Sequence, residues 1–265
     1  MNTHRVIGLI ATIPFYSLPL FADTSIHYNQ DGGNQPSAVY VTDSKLRVDH
    51  GNNGDWMLFD RNANAVYMVD PAKQRYTVID QATVDRLGGA MASANRQMEE
   101  ALKNMPPEQR ARMRAMMKQQ MQKMMNQQGA SFETRTTGRS DNVAGMSCDI
   151  VETWQGEQKR SELCVADSSA IDLSAGEQQT MRALGNFGES MLNSIQSQAG
   201  DLFPEGMIDI SSMQQLTRGV PLRVVDFQGG GRSEVERVSH DGIGDELLSV
   251  PAGYERQQID PQIGQ

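Results

Sequence analysis

The hydrophobic and polar positions alternate along the first third of the mature chain. Between residues 25 and 79, apolar stretches are separated by TDS, GNNG, RNAN and PAKQ; they are AVYV, KLRVDH, DWMLFD, AVYMVD and RYTVID. Short alternating stretches cut by turn residues predict an antiparallel meander of strands. Asn53, Gly54 and Pro71 are residue types that tight turns favour, so the sequence also locates connections between the strands.

A helical period replaces this alternation from residue 81 onward. Apolar residues recur every three or four positions from 81 to 105, and the glycine pair 88–89 is expected to break this helix. The proline pair 106–107 ends it and begins the next one, because proline suits a first helical turn and not a helix interior. A further helix is predicted at about 175–198, where one face carries Met181, Leu184, Phe187, Met191 and Ile195.

Strands are predicted again on both sides of that last helix. SFETRT (131–136) and the two runs of MSCDIVETWQGEQKRSELCVA precede it, and GVPLRVVDFQ and RSEVERVSH follow it on either side of a GGG turn. The order strands, helices, hairpin, helix, strands differs from the strand–helix alternation of a nucleotide-binding fold. It predicts an α+β fold, with an antiparallel sheet and helices gathered on one of its faces.

The first residues, MNTHRVIGLIATIPFYSLPLFADTS, have the layout of a secretory signal peptide. Arg5 is followed by an uncharged apolar run that ends at Phe21 and by the small residue Ala22. The run contains two prolines and is shorter than the ~20 residues that span a bilayer. No cysteine follows the site, which argues against a lipid anchor. We therefore expect cleavage after about Ala22 and export to the periplasm, with residues 23–265 forming a single domain.

Export places the chain's two cysteines, Cys148 and Cys164, in a compartment where disulfides persist. A hairpin centred on Gly156 sets the two cysteines directly opposite each other, and Glu152 opposite Arg160. Opposed residues of antiparallel strands are ~4.5–5.5 Å apart at Cα, which suits a disulfide. The pair lacks the C-x-x-C spacing of redox-active cysteines. A structural cross-strand disulfide is therefore predicted.

Three stretches carry a family resemblance: WMLFDRNANAVYMVDPAKQRYTVID, GMSCDIVETWQGEQKRSELCVAD and LLSVPAGYERQQI. They resemble the LolA-like superfamily of periplasmic lipoprotein carriers, especially a branch of it that is a domain of unknown function. The resemblance implies a curved antiparallel sheet, or half-barrel, around an apolar cavity, with helices packed on one face as a lid and VPAGY at a sheet edge. The domain at 23–265 would then carry a Met-rich helical insertion at about 81–128. The chain lacks the basic character of the carriers, which argues against lipoprotein trafficking.

Charge and motifs exclude several classes of function. The net charge is −9, whereas nucleic-acid binders usually carry a basic surface. The four histidines are not spaced with one another, with cysteines or with carboxylates as a zinc site requires. The chain has no nucleophile elbow and no phosphate-binding loop, and GGGRS lies between strands, where it is expected to be a hairpin turn. We expect a protein that is not an enzyme and holds no cofactor.

The most unusual segment is RMRAMMKQQMQKMMNQQ (112–128), which has six methionines and no Leu, Ile, Val or Phe. At 100° per residue the methionines occupy roughly 180° of a helix surface, and cationic residues lie within or beside the edge of that arc. An amphipathic, locally cationic helix suits an apolar ligand with an anionic head. The expected ligand-binding residues are Met113, Met116, Met117, Met121, Met124, Met125, Arg110, Arg114 and Lys118.

Three interpretations of this helix remain open. Its apolar face can pack on the sheet as ordinary core, as most apolar stripes do. It can line a groove for an apolar or lipidic ligand or for an apolar segment of another envelope protein, because methionine is flexible and adapts to varied partners. It can also bind Cu(I), for which Met113, Met117 and Met121 offer soft ligands one turn apart. The sequence favours the adaptable ligand surface over the metal site, because the methionines follow the hydrophobic period.

Overall fold

The computed structural model describes residues 23–31, 36–50, 54–113, 115–116, 132–199 and 219–259. Twelve strands lie in these ranges. The first six are β1 Thr24–Asp31, β2 Pro36–Val41, β3 Lys45–His50, β4 Trp56–Asp60, β5 Ala65–Asp70 and β6 Arg75–Ile79. The others are β7 Phe132–Val143, β8 Met146–Gln155, β9 Gln158–Ala166, β10 Val220–Asp226, β11 Arg232–Ser239 and β12 Glu255–Gln257.

The strands form one large sheet that does not close on itself, in the order β12-β6-β5-β4-β3-β2-β1-β11-β10-β9-β8-β7. Neighbouring strands are antiparallel, except for β12 and β6, which are parallel. Strands β1 to β6 form a first meander and β7 to β11 a second, and the pairing of β1 with β11 joins them. The fold is therefore α+β with a mostly antiparallel sheet, as the sequence predicts.

Three α-helices lie in the described part of the chain: α1 Gln81–Lys103, α2 at residues 107–113 and 115–116, and α3 Ala175–Ala199. Helix α1 runs through Gly88 and Gly89, so the predicted break is wrong. Each glycine costs ~1 kcal/mol in a helix, and the packing of α1 against α3 and β6 offsets that cost. None of the helices within the described ranges combines the length and the apolar run needed to cross a membrane.

At the start of both long helices, a side chain accepts a hydrogen bond from a free backbone amide. Asp80 accepts a hydrogen bond from the Thr83 amide at 2.8 Å and caps α1. At the start of α3, Ser174 Oγ accepts from the Glu177 amide at 3.1 Å, and the Glu177 carboxylate accepts from the Ser174 amide at 2.7 Å. This reciprocal arrangement is a capping box, and it fixes where α3 leaves the loop after β9.

Both long helices begin at the same end of the sheet, which we call the proximal end. Ser174 Oγ lies 3.1 Å from Asp43 Oδ1 in the β2–β3 turn, and Arg61 of the β4–β5 turn donates to Gln179 Oε1 at 3.2 Å. Strand β6, which leads into α1, ends beside the first residues of β5. The β3–β4, β5–β6 and β8–β9 turns lie at the opposite, distal end.

The main hydrophobic core lies on one face of the sheet, which we call the inner face, and α3 packs on it. Met181 and Leu184 are buried in the same cluster as Phe59 of the first meander and Leu222 of the second. The ring of Phe187 lies 5.9 Å from the ring of Phe59. One core therefore spans both meanders beneath α3.

The other, outer face of the first meander is covered by the chain after β11. A second buried cluster there consists of Trp56, Leu58, Val69 and Leu248. The Arg47 guanidinium lies 4.0 Å from the centre of the Trp56 ring and donates to the Leu247 carbonyl at 2.7 Å. The segment VPAGY, expected at a sheet edge, lies outside the strands, and the edge strand β12 begins at the next residue.

Cys148 and Cys164 form the predicted disulfide, with their Cα atoms 5.2 Å apart. The predicted register of the hairpin is wrong, because Cys164 lies opposite Ile150 and not opposite Cys148. The hairpin turn is centred between Gly156 and Glu157, and Arg160 of β9 is skipped in the pairing as a bulge opposite Thr153 and Trp154. Together these two features shift the pairing, so the disulfide joins a diagonal pair. Both cysteines are buried in the main core, where the bond ties β8 to β9.

Candidate functional site

The inner face of the first meander carries three rows of side chains, because alternate residues of each paired strand point to the same face. The deep row, nearest the proximal end, consists of Val41, Leu46, Phe59, Val66 and Ile79. The middle row lies two residues further along each strand and consists of Val39, Val48, Met57, Met68 and Thr77. The rim row lies two residues further again, at the distal end, and consists of His50, Asp55, Asp70 and Arg75.

The three rows differ in their exposure to solvent. In the deep row, Val66 is 5 % exposed and Phe59 is fully buried, in contact with Phe187 of α3. In the middle row, Val48 and Met57 are half-buried, and Met68 is 42 % exposed. The described helices therefore cover the deep row and leave the middle row partly open. An exposed apolar surface with a polar border is typical of an interaction site.

A surface pocket of about 200 Å³ lies where the middle row meets the rim row. Met68 contributes an apolar wall, and all four residues of the rim row line the opening. The remaining lining residues are Thr77 and Gln257, together with Trp56, Val69 and Tyr76 of the outer-face cluster. The surface thus changes from apolar to charged within one pocket, which suits an amphiphilic molecule.

The charged side chains of the rim row differ in whether they have a partner of opposite charge. Asp70 accepts hydrogen bonds from Lys73 Nζ at 2.8 Å and from the Lys73 amide at 3.0 Å, and Arg75 Nε lies 3.5 Å from its carboxylate. The Lys73 side chain is the main cause that holds the pKa of Asp70 below its ordinary value. By contrast, no hydrogen bond or ion pair involves the side chain of His50 or Asp55 within the described part of the chain.

The second meander carries a closed charge network at the same level of the inner face. Glu152 lies opposite Glu162 and not opposite Arg160, so the predicted pairing is wrong here too. Lys159 Nζ donates to the two carboxylates at 2.8 and 2.6 Å, and Arg139 Nη2 lies 2.7 and 3.3 Å from them. The Lys159 hydrogen bonds are the main cause that lowers the pKa of both glutamates. The protein itself satisfies these charges.

The structure describes only part of the predicted ligand-binding helix. Met113 is half-buried and Met116 is 57 % exposed. On α3, Phe187 packs on the deep row and Met191 is half-buried. The side chain of Ile195 also lies outside the described residues. The predicted residues outside the described ranges are Met117, Met121, Met124, Met125, Arg114 and Lys118.

Arg110, expected to meet the head of a ligand, binds the end of α1. Its guanidinium donates to the carbonyls of Leu102 and Lys103 at 3.0 Å and to that of Met105 at 3.1 Å. The last carbonyls of a helix lack partners within the helix, so this side chain caps α1 and fixes the connection between α1 and α2. Its position is accounted for without a ligand.

The middle and rim rows were not predicted from the sequence. The alternation in KLRVDH, DWMLFD and AVYMVD does place Val48, Met57 and Met68 on one face of their strands. Whether these three residues lie side by side depends on the strand register, which alternation alone does not determine. Among the residues that the structure describes, histidines, cysteines and carboxylates do not gather in groups of three that could hold a metal ion.

Comparisons with known proteins do not assign the chain to a family. No family model matches it, and no curated protein matches it. It is similar to PNGF-II, solved in space group C2, with a TM-score of 0.39 and 10% identity over 90% of this chain and 31% of that chain. It is also similar to an uncharacterized conserved protein from Thermus thermophilus, with a TM-score of 0.39 and 9% identity over 90% and 91% of the two chains.

Proposed function

We propose that this protein is an exported, periplasmic and non-enzymatic binder of an apolar or lipidic ligand. The observation that carries the proposal is the partly open middle row, in which Met68 is 42 % exposed beside a pocket. In this proposal the sheet is a LolA-like half-barrel, and the helices form its lid. The buried disulfide Cys148–Cys164 supports an oxidising compartment.

Binding would be driven by burial of apolar surface against the middle row. Each Å² of apolar surface removed from water contributes about 25 cal/mol, so a contact of about 200 Å² gives roughly 5 kcal/mol before the costs of association. Met57 and Met68 supply thioether side chains, which adapt their shape to different apolar partners. Such a surface suits a set of related ligands better than one rigid molecule.

The Met-rich helix would provide a second, adaptable apolar wall. Met116 is 57 % exposed and Met113 is half-buried, so α2 presents apolar surface that the described part of the core leaves open. The methionines from 117 to 125 continue this face in the sequence.

The proposal is tested by binding of an environment-sensitive apolar dye and by mass spectrometry of natively extracted protein. Met68→Glu should weaken dye binding at least about tenfold, because it places a charge in the apolar site. Phe227→Glu is the matched control, since Phe227 is 53 % exposed on the second meander; this change should leave dye binding unaltered. Met68→Glu should shift the free energy of unfolding by no more than about 0.5 kcal/mol, because the side chain is exposed.

Other outcomes would favour the competing hypotheses. Protein that carries no lipid and binds no apolar dye contradicts the proposal. A stoichiometric Cu(I) complex that Met117→Leu and Met121→Leu abolish, with dye binding intact, would favour the metal site. A stable complex with another envelope protein that Met116→Glu disrupts would favour an apolar protein segment as the occupant.

A further inference from the structure

The rim row gives the ligand's polar head a specific chemistry. We infer that the bound molecule is an amphiphile with a zwitterionic head, an ammonium and an anionic group together, whose tail lies along the middle row. This inference rests on the proposed function. It differs from the anionic head expected from the cations of the Met-rich helix, one of which, Arg110, caps α1.

The ammonium site is Asp55, at the start of β4. Its side chain is half-buried and lines the pocket, and it has no cation beside it in the described part of the chain. Asp70, its neighbour in the rim row, already has Lys73 and Arg75 as partners. A half-buried carboxylate with no cation beside it among the described residues favours a cationic group of the ligand, because charge-assisted hydrogen bonds are about twice as strong as neutral ones.

The anion site is Arg75, at the start of β6, together with His50. The ion pair of Arg75 uses Nε at 3.5 Å from Asp70 and leaves its terminal donors for a second anion. Strand spacing of ~4.8 Å separates the backbones of β4 and β6 by about 10 Å, and the side chains of Asp55 and Arg75 shorten this gap. The two charges of one zwitterionic head therefore match two sites of opposite sign in one pocket.

A purely anionic head would lie beside the Asp55 carboxylate, and a purely cationic head would lie beside the Arg75 guanidinium. The pocket lies at the exposed end of the middle row, beside Met68. A tail that follows this row leaves its head at the charged rim. The register of three neighbouring strands thus couples the position of the tail to the position of the head.

The experiment measures affinities for short-chain diacyl amphiphiles with identical tails and three heads: phosphoethanolamine, phosphoglycerol and an uncharged diol. The wild-type protein should bind the phosphoethanolamine compound at least about tenfold more tightly than the others. Asp55→Asn should reduce this preference to about twofold or less, and Arg75→Gln should do the same. Asp245→Asn, which removes an exposed charge from the outer-face segment, should leave the preference unchanged.

A fourth compound, glycerophosphoethanolamine without tails, distinguishes a lipid from a small free zwitterion. It should bind at least about 100-fold more weakly than the lipid. Equal affinity for the three heads, a preference for phosphoglycerol, an unchanged preference in both Asp55→Asn and Arg75→Gln, or tight binding of the tail-less compound would each overturn the inference. If none of the amphiphiles binds and Met68→Glu leaves dye binding unchanged, the proposed function itself fails.

Discussion

At the same level of the inner face, the first meander carries apolar side chains and the second carries charged ones. In both, the residues nearest the proximal end are buried core: Phe59 in the first meander, and Ile150 with Cys164 in the second. Two residues further toward the distal end, the first meander presents Met57 and Met68, which are partly open. The second presents a pair of glutamates that Lys159 and Arg139 satisfy.

This difference separates surface that stabilises the fold from surface that is left for another molecule. A charge network whose members are all paired needs no further partner. Exposed thioethers, in contrast, favour the binding of an apolar molecule, because covering them removes apolar surface from water and lowers the free energy. In the proposed function, the ligand binds the first meander. The charged side chains of the second meander are paired with one another within the chain.

The largest expected effect distinguishes the deep row from the middle row. Phe59→Ala should lower the free energy of unfolding by about 3–5 kcal/mol, because the side chain is fully buried. Met68→Ala should change it by no more than about 0.5 kcal/mol, because the side chain is exposed. Urea unfolding of both variants measures the two values. Equal losses would mean that the middle row is core, and that the site proposed on it does not exist.

Loss of the disulfide should act on the second meander first. Replacing Cys148 and Cys164 by Ala should cost about 3 kcal/mol, the value for a closed loop of about 15 residues. Amide exchange should accelerate in β8 and β9 more than in β4 and β5, since the bond ties the former pair together. Uniform acceleration across the sheet would show that the two meanders open as one unit.

Removal of the central cation should break the charge network. Lys159→Met leaves two directly opposed carboxylates with Arg139 alone, and like charges at opposed positions destabilise a sheet. We expect a loss of about 1–2 kcal/mol, of which an added Glu162→Gln restores a large part. Lys73→Met is the matched control, because Lys73 is 60 % exposed, and it should cost less than about 0.5 kcal/mol. No recovery in the double variant would contradict the role given to the network.

The smallest expected effect is a dependence of stability on pH. Lys159 lowers the folded-state pKa of Glu152 and Glu162 below the ordinary 4.5. Their stabilisation is therefore complete above the unfolded pKa and is lost as the pH falls through the folded pKa. Unfolding midpoints measured between about pH 6 and about pH 3 should fall less steeply in Glu152→Gln/Glu162→Gln than in the wild type. Parallel pH dependences of the unfolding midpoint in the wild type and the double variant would show that these two carboxylates do not contribute to acid destabilisation.

The first meander was predictable because its strands alternate cleanly and its turns contain glycine, asparagine and proline. In the hairpin of the second meander, by contrast, the strand register was not predictable from the alternation. The pairing of Cys148 with Cys164 was correct, but the position of the turn and a bulge at Arg160 together moved Glu152 opposite Glu162. Alternation does not mark where an extra residue will be accommodated, because a bulge depends on the packing of both strands.

The candidate site was predictable only in its chemistry. The sequence pointed to the methionines of residues 113–125, whereas Met57 and Met68 of the sheet were not predicted, because they are separated by a turn and only the register brings them together. The role of Arg110 was also hidden, because a cation after a helix serves equally well as a ligand contact or as a cap. Tertiary contacts, not local propensity, decide between such alternatives.

The most direct test places a fluorophore in the site. The native cysteines form a disulfide, so Met68→Cys and Phe227→Cys each introduce one thiol for labelling with an environment-sensitive dye. When a short-chain diacyl phosphoethanolamine is added, the emission at position 68 should shift to shorter wavelength and saturate, while the emission at position 227 stays constant. Equal shifts at both positions, or no shift at position 68, would contradict the assignment of the middle row as the ligand site.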